Sequence, residues 1–374
     1  MKNKNSENEL LMRSIIQRIA TGPELSKDIS REEARQGMDM ILEQSAQPVQ
    51  AAIFLIALRM KRESDDEMKG LLDALINTTL TTHAEVDEVV AIADPYDGYN
   101  RTLPASPFLP PVLAACGVHA VTEGVRSVGP KFGVSHHRVM EAAGIPVNLS
   151  PQAAAERLGN EKIGWSYIDQ SQFCPPLYAL MELRSQIVKR PSLTTLDVLC
   201  GPVRGKLKTH LVTGYVHKPY PRIYAMLARH ADFDSALLVR GVEGGVVPSL
   251  RQAGKCFFYH SKGEEQSVDL DPLTLGIDQS VRAVPLPDDL PKSSRPGDEI
   301  AIAVDIKATA KAAADAGIEA LRGEHGPVRD SLIYSGALIL WHLRRFGDLN
   351  SASAAVREVL DSGKALAHLE AARG

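Results

Sequence analysis

Apolar residues recur at helical spacing through the first part of the chain. Ala34, Met38, Ile41 and Leu42 fall on one face, as do Ala51, Ala52, Phe54, Leu55 and Leu58, and then Met68, Leu71, Leu72, Leu75 and Ile76. Ser30-Arg31-Glu32-Glu33 and Ser64-Asp65-Asp66-Glu67 each have the form of a capping box, in which two residues satisfy each other's unpaired backbone donors. Pro48 suits the first turn of the helix between them. No strand pattern interrupts residues 10–80, so a helical domain is expected there.

Beyond residue 85 short apolar runs alternate with helical patterns, which implies an α/β fold with a mainly parallel central sheet. Strands are expected at 89–93, 118–121, 164–168, 211–216, 235–240 and 255–260. Helices are expected at 107–116, 135–143, 151–158, 176–189 and 219–230, and again at 301–321, 328–346 and 351–371. Residues 280–300, rich in Pro, Asp and Ser, read as an irregular connection. The domains are thus 1–82, helical, and 83–374, α/β. There is no internal repeat and no low-complexity tract.

Composition narrows the function classes. With 44% hydrophobic and 24% charged residues, the 374-residue chain is globular rather than disordered. A formal net charge of -4 gives no global field to attract nucleic acid. The polar opening MKNKNSENELLMRS lacks a signal-peptide core and no apolar run is long enough to span a bilayer, so a cytoplasmic protein without a membrane partner is expected. Cys116, Cys174, Cys200 and Cys256 are scattered without metal-ligand spacing and read as buried thiols.

Candidate chemistry concentrates in residues 94–138. Two polar loops, one starting at Asp94 and the other at Glu123, leave strands expected to be parallel neighbours, and such loops border the usual ligand crevice of an open α/β sheet. The second loop mixes glycines and hydroxyls with Arg126 and Lys131, a composition suited to an oxyanion. Arg126, Ser127 and Lys131 are therefore candidate phosphate contacts. Asp97, Asn100, Arg101 and Thr102 form the side-chain-rich part of the first loop, where Asp97-Gly98 reads equally well as a turn. His136 and His137 follow the second loop, where an adjacent pair beside an anion loop could donate to phosphate, although a lone histidine is usually structural. Adjacent helical residues point in different directions, which argues against a shared metal. Lys206, Lys208, His210, His217, Lys218 and Arg222, interleaved with Tyr215, Tyr220 and Tyr224, have the composition of a single-stranded nucleic acid surface as well as that of an ordinary exposed face.

The run Pro48-Val49-Gln50-Ala51-Ala52-Ile53-Phe54-Leu55-Ile56-Ala57-Leu58-Arg59-Met60-Lys61 resembles the helical start of anthranilate phosphoribosyltransferases and the related pyrimidine nucleoside phosphorylases. Ala114-Ala115-Cys116-Gly117-Val118 through Gly124-Val125-Arg126-Ser127-Val128 and Lys131 is similar to a second family segment. Gly326-Pro327-Val328-Arg329-Asp330 and Asp361-Ser362-Gly363-Lys364-Ala365-Leu366 are similar to the family's C-terminal signature. The likeness spans nearly the whole chain and marks a divergent paralogue branch, some of whose members bind nucleic acid without catalysis.

The resemblance implies a cleft between the two domains, helices from about 150–190 joining the helical one, and a homodimer. It implies a pentosyltransferase that holds a phosphorylated ribose and passes through an oxocarbenium-like state, here with an acceptor other than anthranilate. Arg184 falls at the acceptor-binding arginine. Ser106 matches a family serine, although Ser106-Pro107 also reads as a helix cap, the role expected of it alone. Magnesium is the one cofactor implied. Its acidic pair falls at Val246 and Val247, which cannot ligate a hard cation, and Glu243 is the one carboxylate close by in sequence. Arg101 would then stand in for the metal's charge. The expected partner is a small phosphorylated sugar or nucleotide. The rival expectation is a non-catalytic homologue that binds nucleotides or single-stranded nucleic acid.

Overall fold

The computed structural model describes residues 2–22, 24–293 and 304–374. Four helices come first, α1 (Lys2–Ile19), α2 (Arg31–Leu42), α3 (Pro48–Lys61) and α4 (Asp65–Thr78). Both capping boxes form. Glu33 N donates to Ser30 Oγ at 3.2 Å while Ser30 N donates to the Glu33 carboxylate at 3.0 Å. The Ser64–Glu67 pair repeats this at 3.3 and 2.8 Å. Each cap contributes roughly 1 kcal/mol to its helix. Glu67 is fully buried and also accepts from Lys61 and from Ile29 N, so the second cap is stitched into the bundle. Of the apolar faces read above, only Ala52 and Ile76 are incompletely buried.

The strands are β1 (Thr82–His83), β2 (Glu88–Ala93), β3 (Ala120–Gly124), β4 (Trp165–Asp169), β5 (Val203–Arg204), β6 (Lys208–Gly214), β7 (Ser235–Val239), β8 (Gly254–Tyr259) and β9 (Gln266–Leu270). β1 and β5 form a two-residue parallel patch. The other seven make one sheet in the order β4-β3-β2-β6-β7-β8-β9. The first five pair in parallel, with Ala91 opposite Val121 on one side and Leu211 on the other. β8 and β9 close the edge in antiparallel fashion.

Strand alternation divides the interior. Val89, Ala91 and Ala93 of β2 face a core shared with α1–α4, helix Pro151–Gly159 and helix Tyr220–His230. Val90 and Ile92 face a second core, closed by the C-terminal helices Ile306–Leu321, Pro327–His342, Leu349–Asp361 and Lys364–Ala371. The helical bundle therefore has no separate core of its own. Its interior runs on into one face of the sheet. None of the helices among the described residues is long and apolar enough to cross a membrane.

Three expectations need correction. The helix expected at 176–189 is broken into Gln170–Phe173, Pro175–Tyr178 and Met181–Ile187, because two consecutive prolines restart the chain and Val188 ends it with φ 60°. The helix expected at 351–371 is split at Gly363, which takes φ 72°. β9 was not foreseen, since as an edge strand it is mostly exposed and offers no apolar signal. The start of the helix expected at 301 lies outside the described residues, and the helix is described from Ile306.

Candidate functional site

The C-terminal ends of β2, β3 and β7 release the loops that meet at the candidate site. The first two loops touch backbone to backbone. Gly133 N donates to the Asp97 carbonyl at 2.7 Å, and Tyr99 and Val134 exchange bonds at 3.0 and 2.8 Å. A Cβ on Gly98, which has φ 77°, would lie 2.6 Å from the Gly133 carbonyl carbon, and one on Gly133 would lie 2.5 Å from Tyr99 N. The glycines that suggested close approach to an anion here permit close approach of the two loops to each other.

Glu243, in the loop after β7, lies between them. Its carboxylate accepts from Asn100 N at 3.0 Å, Arg101 N at 2.9 Å and the Thr102 hydroxyl at 2.9 Å, and pairs with Lys131 Nζ at 2.8 Å. Burial alone would raise this carboxyl. The charge and hydrogen bond of Lys131, with the two backbone donors, instead hold it below the usual range. Glu243 also has φ 52°, a left-handed conformation that disfavours a side chain, so its placement is imposed by these contacts. Two N–H groups, one hydroxyl and one ammonium thus form an oxyanion cradle whose occupant is the protein's own carboxylate.

A second carboxylate is enclosed beside it. Asp94, 1% exposed, accepts from Ser106 Oγ at 2.5 Å, Tyr99 Oη at 2.6 Å and Val246 N at 2.8 Å, and lies 2.9 Å from His136 Nε2. Burial would raise Asp94, but the charge and hydrogen bond of His136, then the hydrogen bonds of Ser106 and Tyr99, hold it low. The other nitrogen of His136 is 2.6 Å from the Thr122 hydroxyl. Ser106 is not a helix cap, contrary to expectation. The capping position is Ala105, and the hydroxyl is committed to Asp94.

The remaining candidates are placed separately. Asp97 pairs with Arg190 at 2.7 Å. Arg126 points to the surface, 52% exposed, and pairs with Glu141 at 2.8 Å, so it does not join Lys131. The Ser127 hydroxyl makes no hydrogen bond among the described residues. His137 pairs with Asp169 at 2.7 Å, away from His136. Arg184 is 1% exposed and bound to fully buried Asp197 at 2.9 Å. The basic-aromatic stretch is not one surface. Lys206, Lys208 and Arg222 pair with Glu85, Glu88 and Asp65, while Tyr215 and Tyr224 are buried. Cys116 is partly buried and the other three thiols are buried and free.

Where the family's acidic pair would hold magnesium, Val246 and Val247 are buried, 1% and 8% exposed, and offer no oxygen. Glu243 already serves four donors, and Asp94, which reaches Val246 N, is enclosed by Ser106, Tyr99 and His136, so these residues do not fit the ion.

Sequence reasoning located the loops but missed Asp94, Tyr99 and Glu123. Glu123, the last residue but one of β3, is 1% exposed and accepts from Tyr96 Oη at 3.1 Å. Burial pushes its carboxyl up to about 8, against a smaller lowering by Tyr96. An acidic residue inside an apolar strand was the one available signal for it.

Residues 13–79 match the helical bundle domain of the glycosyl transferase family, and residues 97–284 match its α/β domain. The anthranilate phosphoribosyltransferase of Rhodococcus jostii is 27% identical over 348 residues, covering 91% of this chain and 87% of that protein. The one from Rhodopseudomonas palustris strain BisA53 is 25% identical, covering 96% of both. An uncharacterised Aquifex aeolicus protein, 27% identical over 222 residues, is matched over 65% of its length. Among solved structures, anthranilate phosphoribosyltransferase from Thermus thermophilus superposes with a TM-score of 0.72 at 19% identity, covering 97% of this chain and 98% of that one. The Saccharomyces cerevisiae enzyme in complex with PRPP and Mg superposes at 0.74 with 15% identity, covering 97% and 96%.

Proposed function

The chain belongs to the glycosyl transferase family that includes the anthranilate phosphoribosyltransferases, and from this premise we propose that it binds a phosphorylated ribose at the C-terminal edge of its parallel strands and transfers the pentosyl group. The observation that carries this reading is the cradle formed by Asn100 N, Arg101 N, Thr102 Oγ and Lys131 Nζ around Glu243. Phosphate oxygens accept from the same donors as carboxylate oxygens, so the ligand's phosphate takes the place of the Glu243 side chain. The Arg101 guanidinium, exposed at the rim, adds charge without a metal. The donor is accordingly a sugar monophosphate. Its C1–O bond breaks with the electron pair leaving on phosphate, and the acceptor nucleophile adds to the oxocarbenium carbon. The acceptor is not anthranilate, because Arg184, which would hold a carboxylate, is already paired with Asp197.

Titration of ribose 1-phosphate and phosphoribosyl pyrophosphate, each with magnesium and with a chelator, tests the proposal. Ribose 1-phosphate binds with and without the metal. Glu243→Gln, which removes the competing charge from the cradle, tightens that binding by about tenfold, the value of one charged contact. Lys131→Ala weakens it by a similar factor, and Arg126→Ala leaves it unchanged. Strictly magnesium-dependent binding of the pyrophosphate, or indifference to Glu243→Gln, would overturn the reading.

A second reading, a binding protein without turnover, is favoured by one observation: the Asp94 network with Ser106, Tyr99 and His136 is complete in itself and leaves those groups none to offer a reacting ligand. Ribose 1-phosphate that binds but is never consumed with any acceptor would select it.

A further inference from the structure

Beside the cradle lies a cavity of about 730 Å³. It is separate from the groups assigned above to ribose phosphate, apart from Arg101, Thr102 and Glu243 at the shared wall. Four cationic side chains border it from four segments: Arg101 after β2, Arg240 after β7, Lys255 on β8, and Arg282 in the connection that follows β9. The guanidinium groups of Arg101, Arg240 and Arg282 make no ion pair or hydrogen bond with any described residue. Lys255 is balanced only by exposed Asp269 at 3.3 Å. Among the described residues Glu243 is the one acid in the lining, and its charge is met by Lys131.

The cavity also has a polar contact with nothing to bind. Tyr334, on helix Pro327–His342, is 1% exposed, lines the cavity, and its hydroxyl has no hydrogen-bond partner among the described residues. A buried hydroxyl left unmade is destabilising, and native proteins rarely retain one without a use.

From this convergence we infer that the cavity is a binding site for a small ligand carrying several phosphates, such as a nucleoside di- or triphosphate. Guanidiniums that pair with no described residue and gather at one opening repel one another, and a bound anion relieves that repulsion. Their planar forks match phosphate oxygens two at a time. A cleft lined by one sign of charge also concentrates its ligand. The volume falls within the roughly 300–1,000 Å³ typical of small-molecule sites. A nucleic acid strand would call for a continuous groove, whereas these cations meet around a single cavity. The site does not depend on the cradle: it would bind polyphosphate whether or not ribose phosphate displaces Glu243.

Calorimetry on the full-length chain with inorganic tripolyphosphate at low salt tests the inference, with a single-stranded oligothymidylate as the comparison. Tripolyphosphate binds the unaltered protein. The double variant Arg240→Ala, Arg282→Ala loses about 30-fold in affinity, the effect of two charge-assisted contacts, while Arg126→Ala, which lies outside the lining, retains it. Tyr334→Phe weakens binding by about threefold, as expected for one neutral hydrogen bond. Both arginines are exposed, so circular dichroism is expected to show an intact fold, and a Gln-for-Arg version of the double variant replaces it if it does not. Absence of tripolyphosphate binding, or a double variant that binds it normally, would overturn the assignment. Loss of oligothymidylate binding alone would overturn it in favour of a nucleic acid backbone.

Discussion

Replacing Asp197 with Ala is expected to destabilise the protein by about 3–5 kcal/mol, as seen when one partner of a buried ion pair is removed. Asp197 and Arg184 are 0% and 1% exposed and 2.9 Å apart. Asp197 is bound by Nη2, and Arg184 Nε and Nη1 have no partner among the described residues, so the variant leaves a buried guanidinium with no acceptor there. Burial raises the Asp197 carboxyl, and the charge of Arg184 opposes that shift without cancelling it. The pair is therefore a costly arrangement that is much worse when halved. Replacing both residues together, Arg184→Met with Asp197→Leu, should recover most of the loss, since apolar side chains of similar volume carry no desolvation penalty. Thermal melting followed by circular dichroism measures both. A single variant that melts like the unaltered protein would mean that solvent reaches Arg184.

The second large effect concerns pH. In the folded chain the buried Glu123 carboxyl keeps its proton up to about 8, against an ordinary value of 4.5. The folded state therefore binds one more proton than the unfolded state throughout that window. Stability falls as pH rises through it, because the unfolded carboxylate is free to ionise in water. Glu123→Gln keeps the shape and an oxygen that can accept from Tyr96, and it removes the titration. The variant should gain a few kcal/mol over the unaltered protein at pH 8 and nothing at pH 4. Urea unfolding of both proteins at the two pH values gives the difference directly. Equal gains at both would show that Glu123 is not the group responsible.

The fold was legible because its signals are local. A serine three residues before a glutamate, or apolar residues at every second position, is read within one element. The two loops were legible for the same reason. What fills them was not, because Glu243 meets Asn100 from 143 residues further along the chain, and Asp94 meets Val246 from 152 residues away. Glycine in a loop says that something comes close, and at Gly98 and Gly133 that something is another stretch of backbone. Arg184 and Asp197 stand near each other in sequence, yet the apolar Leu196, Val198 and Leu199 around the aspartate gave no hint that it answers a guanidinium.

The interior shared between the helical bundle and the sheet has a consequence for biosynthesis. α4 packs against helix Tyr220–His230, and Asp65 and Asp73 pair with Arg222 and His230 of that helix. A ribosome delivers α1–α4 first, then β2, β3 and β4, and only much later the helix that covers α4. The nascent bundle therefore carries an uncovered apolar flank while most of the sheet is still being synthesised, which is when aggregation competes with folding. Substitutions that weaken the seam should reduce the yield of soluble protein more than the stability of the molecules that do fold.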